Sequence, residues 1–464
     1  MRADIADIIA KYTKYNGRRK PELLDPGTYS LVNYHEAETV VADFQKIVAR
    51  AEKIYEDLPP NQRDAFFELV LYPTKASAIV TQLYVTAGRN RFYASQGRSS
   101  ANDLAAQTRS LFQADADLAD AYNHKLANGK WVHMMDQTHI GYTSWNEPKS
   151  NVMPEVTEIE VPVAAKIGVA VESSTSAWPN ATGDLPQLPP FDVFNRQQRY
   201  IDVFNHGNTP FSFSATVSVP WILLSTSRGT INKEERLWVS VDWKKAPQDR
   251  ATGAVKISGA GEDVIVKVTA VNPRVSAHNL VNGFIEAEGY VSMEAAHFTR
   301  RTGAGMVRWE KIEDYGRTLS SMTVVPDTAG SILPPQPSPC LEYQMYLFSS
   351  GIAHVEVTTA PTLNFAPGRG LRYAISMDDE PLQVIDILAH NSRKDWEASV
   401  KDSAHKTDSI HNIASPGHHT LRFCMVDPAI ALQKIVVDMG GVKPSYLGPP
   451  ESYHALVSHD GHIR

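Results

Sequence analysis

The sequence predicts a multidomain chain that changes class along its length: an antiparallel helical bundle, then an immunoglobulin-like β-sandwich, then a jelly-roll-like β-sandwich. Three observations predict it. Apolar residues recur with the helical period up to about Asn128. After Pro154 apolar and polar residues alternate with the period of a strand. Asn272-Pro273 then divides two strand sets of different spacing, the first short and regular, the second broken by large loops.

The first element is a short amphipathic helix over residues 3–14, with Ile5, Ile8, Ile9 and Tyr12 on one stripe. Gly17 ends it and Pro21 keeps it ended. A helix of about three turns is marginal alone, so the stripe needs a surface to pack on. The basic run Arg18-Arg19-Lys20 that follows reads as a solvated helix end.

Val40, Phe44, Ile47, Ala51 and Ile54 form one face of the next helix, which ends at Leu58-Pro59-Pro60. Asn61 is the expected N-cap of a helix carrying Phe66, Leu69 and Val70. Pro73 is expected to kink or break it, before Ile79, Val80, Leu83 and Tyr84 resume the pattern. A third long helix runs from Ser100 to His124. Short connections make these helices antiparallel neighbours, with Phe66, Tyr84 and Phe92 in the core.

VTEIEVPVA and IGVAVESS open the β region, followed by RYIDVFN, FSFSATVS, WILLSTSRG, ERLWVSVDW, AVKISG and DVIVKVTAV. Trp221, Trp238 and Trp243 fit core or edge packing there. The last set comprises GFIEAEGYVSMEA, WEKIED, LEYQMYLF, IAHVEVTT, LRYAISMDD, LQVIDIL and HHTLRFCMV, with GGVKPSYLGPPES as an ordered surface wrap.

Composition restricts function. The 464 residues suffice for about three domains, with 42% hydrophobic and 21% charged residues as in an ordinary globular protein. A net charge of -7 lacks the basic face nucleic acid requires. No window approaches the roughly 20 apolar residues that span a bilayer, and Asp4 and Asp7 interrupt the N-terminal apolar pattern, unlike a signal peptide. The compartment stays open. Cys340 and Cys424 exclude a disulfide scaffold and a cysteine zinc site; they either pair within the last domain or stay as free thiols.

There is no phosphate-cradling glycine loop followed by lysine and no Gly-x-Ser-x-Gly elbow, so no cofactor is expected. Glu286 and Glu288 alternate along one strand and face either solvent or a hard cation. Asp378-Asp379-Glu380 fits a turn, and His418-His419 has no second ligand set at metal spacing; no metal site is assigned. The richest segment is GKWVHMMDQTHIGYTSWNEP, residues 129–148. Trp131, His133, His139, Tyr142 and Trp145 supply flat apolar faces with donors and acceptors, as a sugar-binding wall needs. The same residues could instead plug the seam between bundle and sandwich.

GKWVHMMDQTHIGYTSW, RRKPELLDPGTYSLVNYHEAETV, GYVSMEAAHF, GRTLSSMT and SYLGPPES together resemble glycoside hydrolase family 115, in order over essentially the whole chain. The resemblance implies a xylan α-1,2-glucuronidase that releases glucuronic or 4-O-methylglucuronic acid side groups with inversion. It also implies an upstream α/β domain and a barrel holding the catalytic carboxylates. No residue of this chain receives a catalytic role. The expected division is 1–20, a residual barrel helix whose partner is missing; 21–154, the bundle; 155–274 and 275–464, the two sandwiches. On this reading the chain is the C-terminal part of such an enzyme, a truncated gene model or a fragment. It would serve in assembly and cleft support, with a xylan-type saccharide and a second copy of the chain as partners. The alternatives are a stand-alone carbohydrate-binding or scaffold protein, and an inactive, unstable fragment.

Overall fold

The computed structural model describes residues 1–464 apart from 144–145, 184, 275–282, 304, 366–367, 390–391 and 456–464. A helical region is followed by β-sheets. The chain forms two compact units: Met1–Thr13 with Pro21–Arg274 and Pro444–Tyr446, and Lys14–Lys20 with Val275–Lys443 and Leu447–Arg464.

In the first unit, helix α1 (Arg2–Asn16) finds the surface its stripe requires. Ile8 is fully buried, and with Ile5 it packs on Ala51, Leu58, Phe66, Val70 and Leu71. The partner is thus the neighbouring helices α2 (Glu36–Asp57) and α3 (Pro60–Phe66), and Arg50 clasps Asp7 at 2.6 Å. The expected lack of a partner is therefore corrected.

Two details of the helical region differ from expectation. The N-cap before α3 is Pro59, with Pro60 in the first turn, where the N–H that proline lacks has no partner within the helix and its fixed φ suits the start; Asn61 lies inside the helix. Pro73 does not break the chain. A π-helical turn, Phe67–Leu71, absorbs its missing donor and leads directly into α4 (Tyr72–Ser95), where Pro73 occupies the permissive first turn. Helix α5 (Ala101–Asp120) lies against α4, and Asn90, fully buried, donates to the Ala101 carbonyl at 2.8 Å. Gly88 allows the chain at Pro26 to pass over α4, since a Cβ there would stand 2.2 Å from the Pro26 carbonyl oxygen.

VTEIEVPVA is not a strand. Its backbone bonds go to helix side chains: Asn90 takes Thr157 N–H at 2.7 Å, and Asn102 takes Ile159 N–H at 2.9 Å. Period alone could not reveal this, because buried asparagines replaced the ladder partner. Two sheets follow. One runs in the order Ile167–Val171, Arg199–Asn205, Glu234–Val241, Ile222–Leu224; the other Phe191–Asp192, Glu262–Asn272, Asp249–Gly259, Phe211–Val217, Arg228–Ile231. Phe211, Phe213 and Ala215 point inward while Ser212, Ser214 and Thr216 point out, and Val169, Ile201, Leu237, Val255 and Val266 join them in one core.

Ile167–Val171 and Arg199–Asn205 are buried on both faces. Their outer face carries a charge network against the helices. Glu172, 1% exposed, meets Arg199 at 2.6 Å and His35 at 3.2 Å. Arg236 bridges Glu38 at 2.6 Å and Asp202 at 2.7 Å, and Arg98 reaches Asp202 at 3.0 Å. The Glu172 and Glu38 carboxylates push the His35 imidazole up to about 9, against its burial. Burial would raise Glu38, but His35 and Arg236 bring it down to about 2.

A raised histidine contributes stability below its unfolded value of 6.5 and loses it as pH rises through about 9. The first unit should therefore weaken by roughly 2 kcal/mol between neutral pH and pH ~10, after discounting for partial exposure. His35→Asn should flatten that slope in pH-dependent hydrogen exchange of residues 167–171; an unchanged slope would reject the assignment.

The second unit packs two further sheets. The first runs Gln383–Asp386, Arg372–Met377, Gly417–Met425, Cys340–Leu347, Gly283–Ile285, His454–Ala455, with Arg300–Arg301 beside Cys340–Leu347. The second runs Arg308–Ile312, Ser321–Val325, Leu432–Asp438, Gly351–Thr359, His405–Ile413, with Tyr290–Glu294 on Leu432–Asp438. Trp309, Tyr343, Tyr373, Phe423 and Val355 fill the space between them. Cys340 and Cys424 stand opposite each other on adjacent antiparallel strands and form a disulfide, which closes the choice the sequence left open. The tail is built into this unit: Pro449 accepts hydrogen bonds from Ser292 and from the buried Lys434.

The apolar pattern does not reveal helix α6 (Arg393–Asp402) or the strands Ser321–Val325, His405–Ile413 and Leu432–Asp438. A signal for α6 was present, since Ser392 and Asp395 form a reciprocal capping box. The run Arg18-Arg19-Lys20 is not a solvated helix end. Arg18 is only 6% exposed, stacks on Tyr15 and donates to the Arg317 carbonyl, while Arg19 faces Asp402 at 3.7 Å.

Candidate functional site

The segment after α5 is a displayed loop with a fixed base. A π-turn, Ala121–Lys125, and left-handed Ala127 and Asn128 turn the chain sharply away from the helix. Asn123, 4% exposed, accepts from Met135 N–H at 2.9 Å and donates to Asp136 at 2.7 Å. The other oxygen of Asp136 holds His133 Nδ1 at 2.5 Å. A single buried asparagine therefore sets the turn through which Trp131 and His133 are presented.

His133 has a left-handed backbone, φ 70°, and its side chain is 81% exposed. Trp131 is half-buried, with the Lys130 ammonium 4.6 Å from its ring centroid. Met134 and Val132 on the same turn are exposed. Flat and apolar surface thus stands beside a cation and an oriented imidazole.

His139 is placed differently. Its Nε2 faces the Asp115 carboxylate at 2.9 Å and its Nδ1 faces the Gln137 carbonyl at 2.9 Å. Both neighbours are acceptors, so both ring nitrogens must donate, which requires the imidazolium. The Asp115 hydrogen bond accordingly raises its pKa against burial. His139 is a cationic rivet between loop and α5.

Ile140, fully buried, and Gly141 complete the base. Gly141 N–H donates to the Tyr84 hydroxyl at 3.1 Å, and its φ of 97° with a would-be Cβ 2.7 Å from Val152 admits only glycine. Tyr142 follows, half-buried, and Trp145 lies outside the described residues. The structure therefore separates these positions by role: Trp131 and His133 on the displayed turn, His139 pinned beneath.

Glu286 and Glu288 do not share a strand face. The strand ends at Ile285; Glu286 turns inward to accept Phe348 N–H at 2.6 Å and Ser349 N–H at 2.8 Å, and Glu288 sits in a left-handed turn. Backbone donors occupy the carboxylate that a cation would need. Asp378 lies in the expected turn and holds His419 at 2.7 Å.

One constellation escaped the sequence reading. Ser409 Oγ lies 2.9 Å from His411 Nε2, whose Nδ1 lies 2.8 Å from Glu380. The order nucleophile, base, carboxylate matches acyl-transfer chemistry. Yet Ser409 is 5% and His411 2% exposed, so a substrate carbonyl cannot approach. The trio instead staples the 378–380 turn to the strand.

Residues 283–451 match the family model of the glycosyl hydrolase family 115 C-terminal domain. No curated protein matches the chain. Among solved structures, the fold is similar to that of a novel family GH115 4-O-methyl-alpha-glucuronidase, BtGH115A, with specificity for decorated arabinogalactans. The TM-score is 0.51 at 13% identity, over 94% of this chain and 39% of that one. The chain thus spans about two fifths of that structure's length, covering 39% of it. A family 35 carbohydrate binding module from Clostridium thermocellum overlaps 32% of this chain and 96% of its own, but a TM-score of 0.22 at 10% identity carries no argument.

Proposed function

We propose, from the match of residues 283–451 to the glycosyl hydrolase family 115 C-terminal domain model, that the chain is the non-catalytic part of a xylan α-1,2-glucuronidase. The reaction we assign to the whole enzyme is inverting release of (4-O-methyl)glucuronic acid branches, with one carboxyl as acid and another activating water. The part described here supports assembly and one wall of the substrate cleft. The observation that carries the reading is the turn at Trp131 and His133, exposed yet held from below by Asn123 and Asp136. A stacking surface beside an oriented imidazole is what a pyranose needs, and a fixed base lowers the entropy lost on binding.

In this reading residues 21–154 form an antiparallel bundle, 155–274 an immunoglobulin-like sandwich and 275–464 a jelly-roll-like sandwich; residues 1–20 are a barrel's terminal helix. The assembly is a homodimer, which light scattering of the purified chain would check. Purified chain should release no uronic acid from glucuronoxylan but should be retarded in a gel containing that polymer. Trp131→Ala with His133→Ala should weaken the retardation about tenfold. Release of uronic acid by the chain, or retardation unchanged in the double variant, would overturn the proposal.

A further inference from the structure

The second unit contains a cavity of about 390 Å³ in which aromatic and cationic side chains face one space. Its lining includes Lys14, Lys20, Asp314, Tyr315, Trp396 and Gln433. The size falls within the ~300–1,000 Å³ usual for small-ligand sites.

Each wall is braced. Lys20 N–H donates to the Lys401 carbonyl at 3.3 Å, docking the basic segment to the end of α6, the helix that carries Trp396. Gln433, 4% exposed, accepts from Arg317 N–H at 3.1 Å and donates to the Ser403 carbonyl at 3.1 Å. It thereby ties the turn bearing Tyr315 to the terminus of α6. Asp314 and Ser403, both lining the cavity, have left-handed backbones at φ 53° and 49°.

The chemistry is equally specific. Tyr315 is 46% exposed and Trp396 half-buried, so both present ring surface. Lys14, with a side chain only 9% exposed, points its ammonium at the Leu319 carbonyl, 2.5 Å away, and at Asp314, 3.4 Å away. An ammonium has three donors, and among the described residues these two acceptors account for two of them. Among the charged residues that line the cavity, Lys14 and Lys20 outnumber the single carboxylate Asp314 in a chain whose net charge is -7, which favours an anion there.

We propose that this cavity binds a carboxylate-bearing saccharide, a glucuronosyl branch, with Trp396 and Tyr315 against the sugar and Lys14 and Lys20 facing the carboxylate. The site deepens the function proposed above and rests on it for the identity of the sugar.

The test titrates the full chain with glucuronosyl-xylotriose, xylotriose and free glucuronate by calorimetry. The acidic tetrasaccharide should bind at least about tenfold tighter than xylotriose, a preference that shrinks between roughly 0.05 and 0.5 M salt. Trp396→Ala should weaken it about tenfold and Trp396→Phe should restore most of the loss, which a misfolded variant would not do. Lys20→Gln should erase the preference for the acidic sugar while leaving xylotriose affinity unchanged. Equal affinity for acidic and neutral sugars, or full affinity in both Trp396→Ala and Lys20→Gln, overturns the proposal. So does the absence of binding at about 10 mM ligand. Trp131→Ala with His133→Ala separates the two readings. If that pair alone abolishes oligosaccharide binding, the loop is the sugar site and this cavity is not. If it weakens only polymer retardation, both stand.

Discussion

Glu172→Ala should lower the stability of the first unit by about 3–5 kcal/mol, because it takes the Glu172 carboxylate away from the buried Arg199 guanidinium. Glu172 is 1% exposed, and it engages the Arg199 guanidinium at 2.6 Å, His35 at 3.2 Å and the Tyr200 N–H at 3.3 Å. The Arg199 side chain is itself only 6% exposed, so water cannot replace the carboxylate. Glu172→Gln keeps an acceptor for Arg199 but removes the charge, and should cost less. With two compact units a single melting temperature is not well defined, so hydrogen exchange of peptides covering 167–171 and 199–205 is the appropriate readout. A loss below about 1 kcal/mol would mean that the pair behaves as a solvent-screened surface bridge.

Replacing both Cys340 and Cys424 by serine should weaken the second unit by about 2–5 kcal/mol and leave the first unchanged. The two residues are 84 apart in sequence, and closing a loop of that length restricts the unfolded chain by roughly 4–5 kcal/mol in the chain-entropy treatment. The strands they join are already in register from Cys340–Cys424 through Leu347–Gly417, so the bridge chiefly restrains the unfolded chain rather than positioning the strands. Urea titration followed by exchange in the 340–347 and 417–425 peptides, with and without a phosphine reductant, would measure it. Coincident curves would show that the bridge contributes nothing.

Several strands of the first β region were legible from β-branched and aromatic residues and, where one face is exposed, from alternation. RYIDVFN became Arg199–Asn205, and FSFSATVS became Phe211–Val217 with its serines outward. The same period failed at VTEIEVPVA, where Asn90 and Asn102 on helices took the bonds a neighbouring strand would have made. Apolar content also left α6 unread, because its sequence is largely polar, although it carries a complete capping box at Ser392 and Asp395. Periodicity records which face is buried; it does not record who accepts a backbone hydrogen bond.

The candidate residues divide in the same way. Residue types mark 129–148 as unusual; in the fold His133 is exposed and Trp131 half-buried. Nothing in the spacing distinguished His133 from His139, since the difference lies in Asp115, 24 residues earlier on α5. Nor could spacing bring the basic segment at 14–20 to Tyr315 and Trp396, some 300 or more residues away.

By itself, then, the sequence determined the change from helical to strand segments and much of the alternation that buries the two β cores. These follow from local period and residue type, which every segment carries with it. The tertiary structure decided the partner of the Ile8 stripe, the disulfide, the buried charge network around Glu172, and the cavity at Lys14 and Trp396. Each depends on groups far apart in the chain meeting at a few ångströms, and over that range charge and hydrogen bonding act between neighbours in space, whatever their order in sequence.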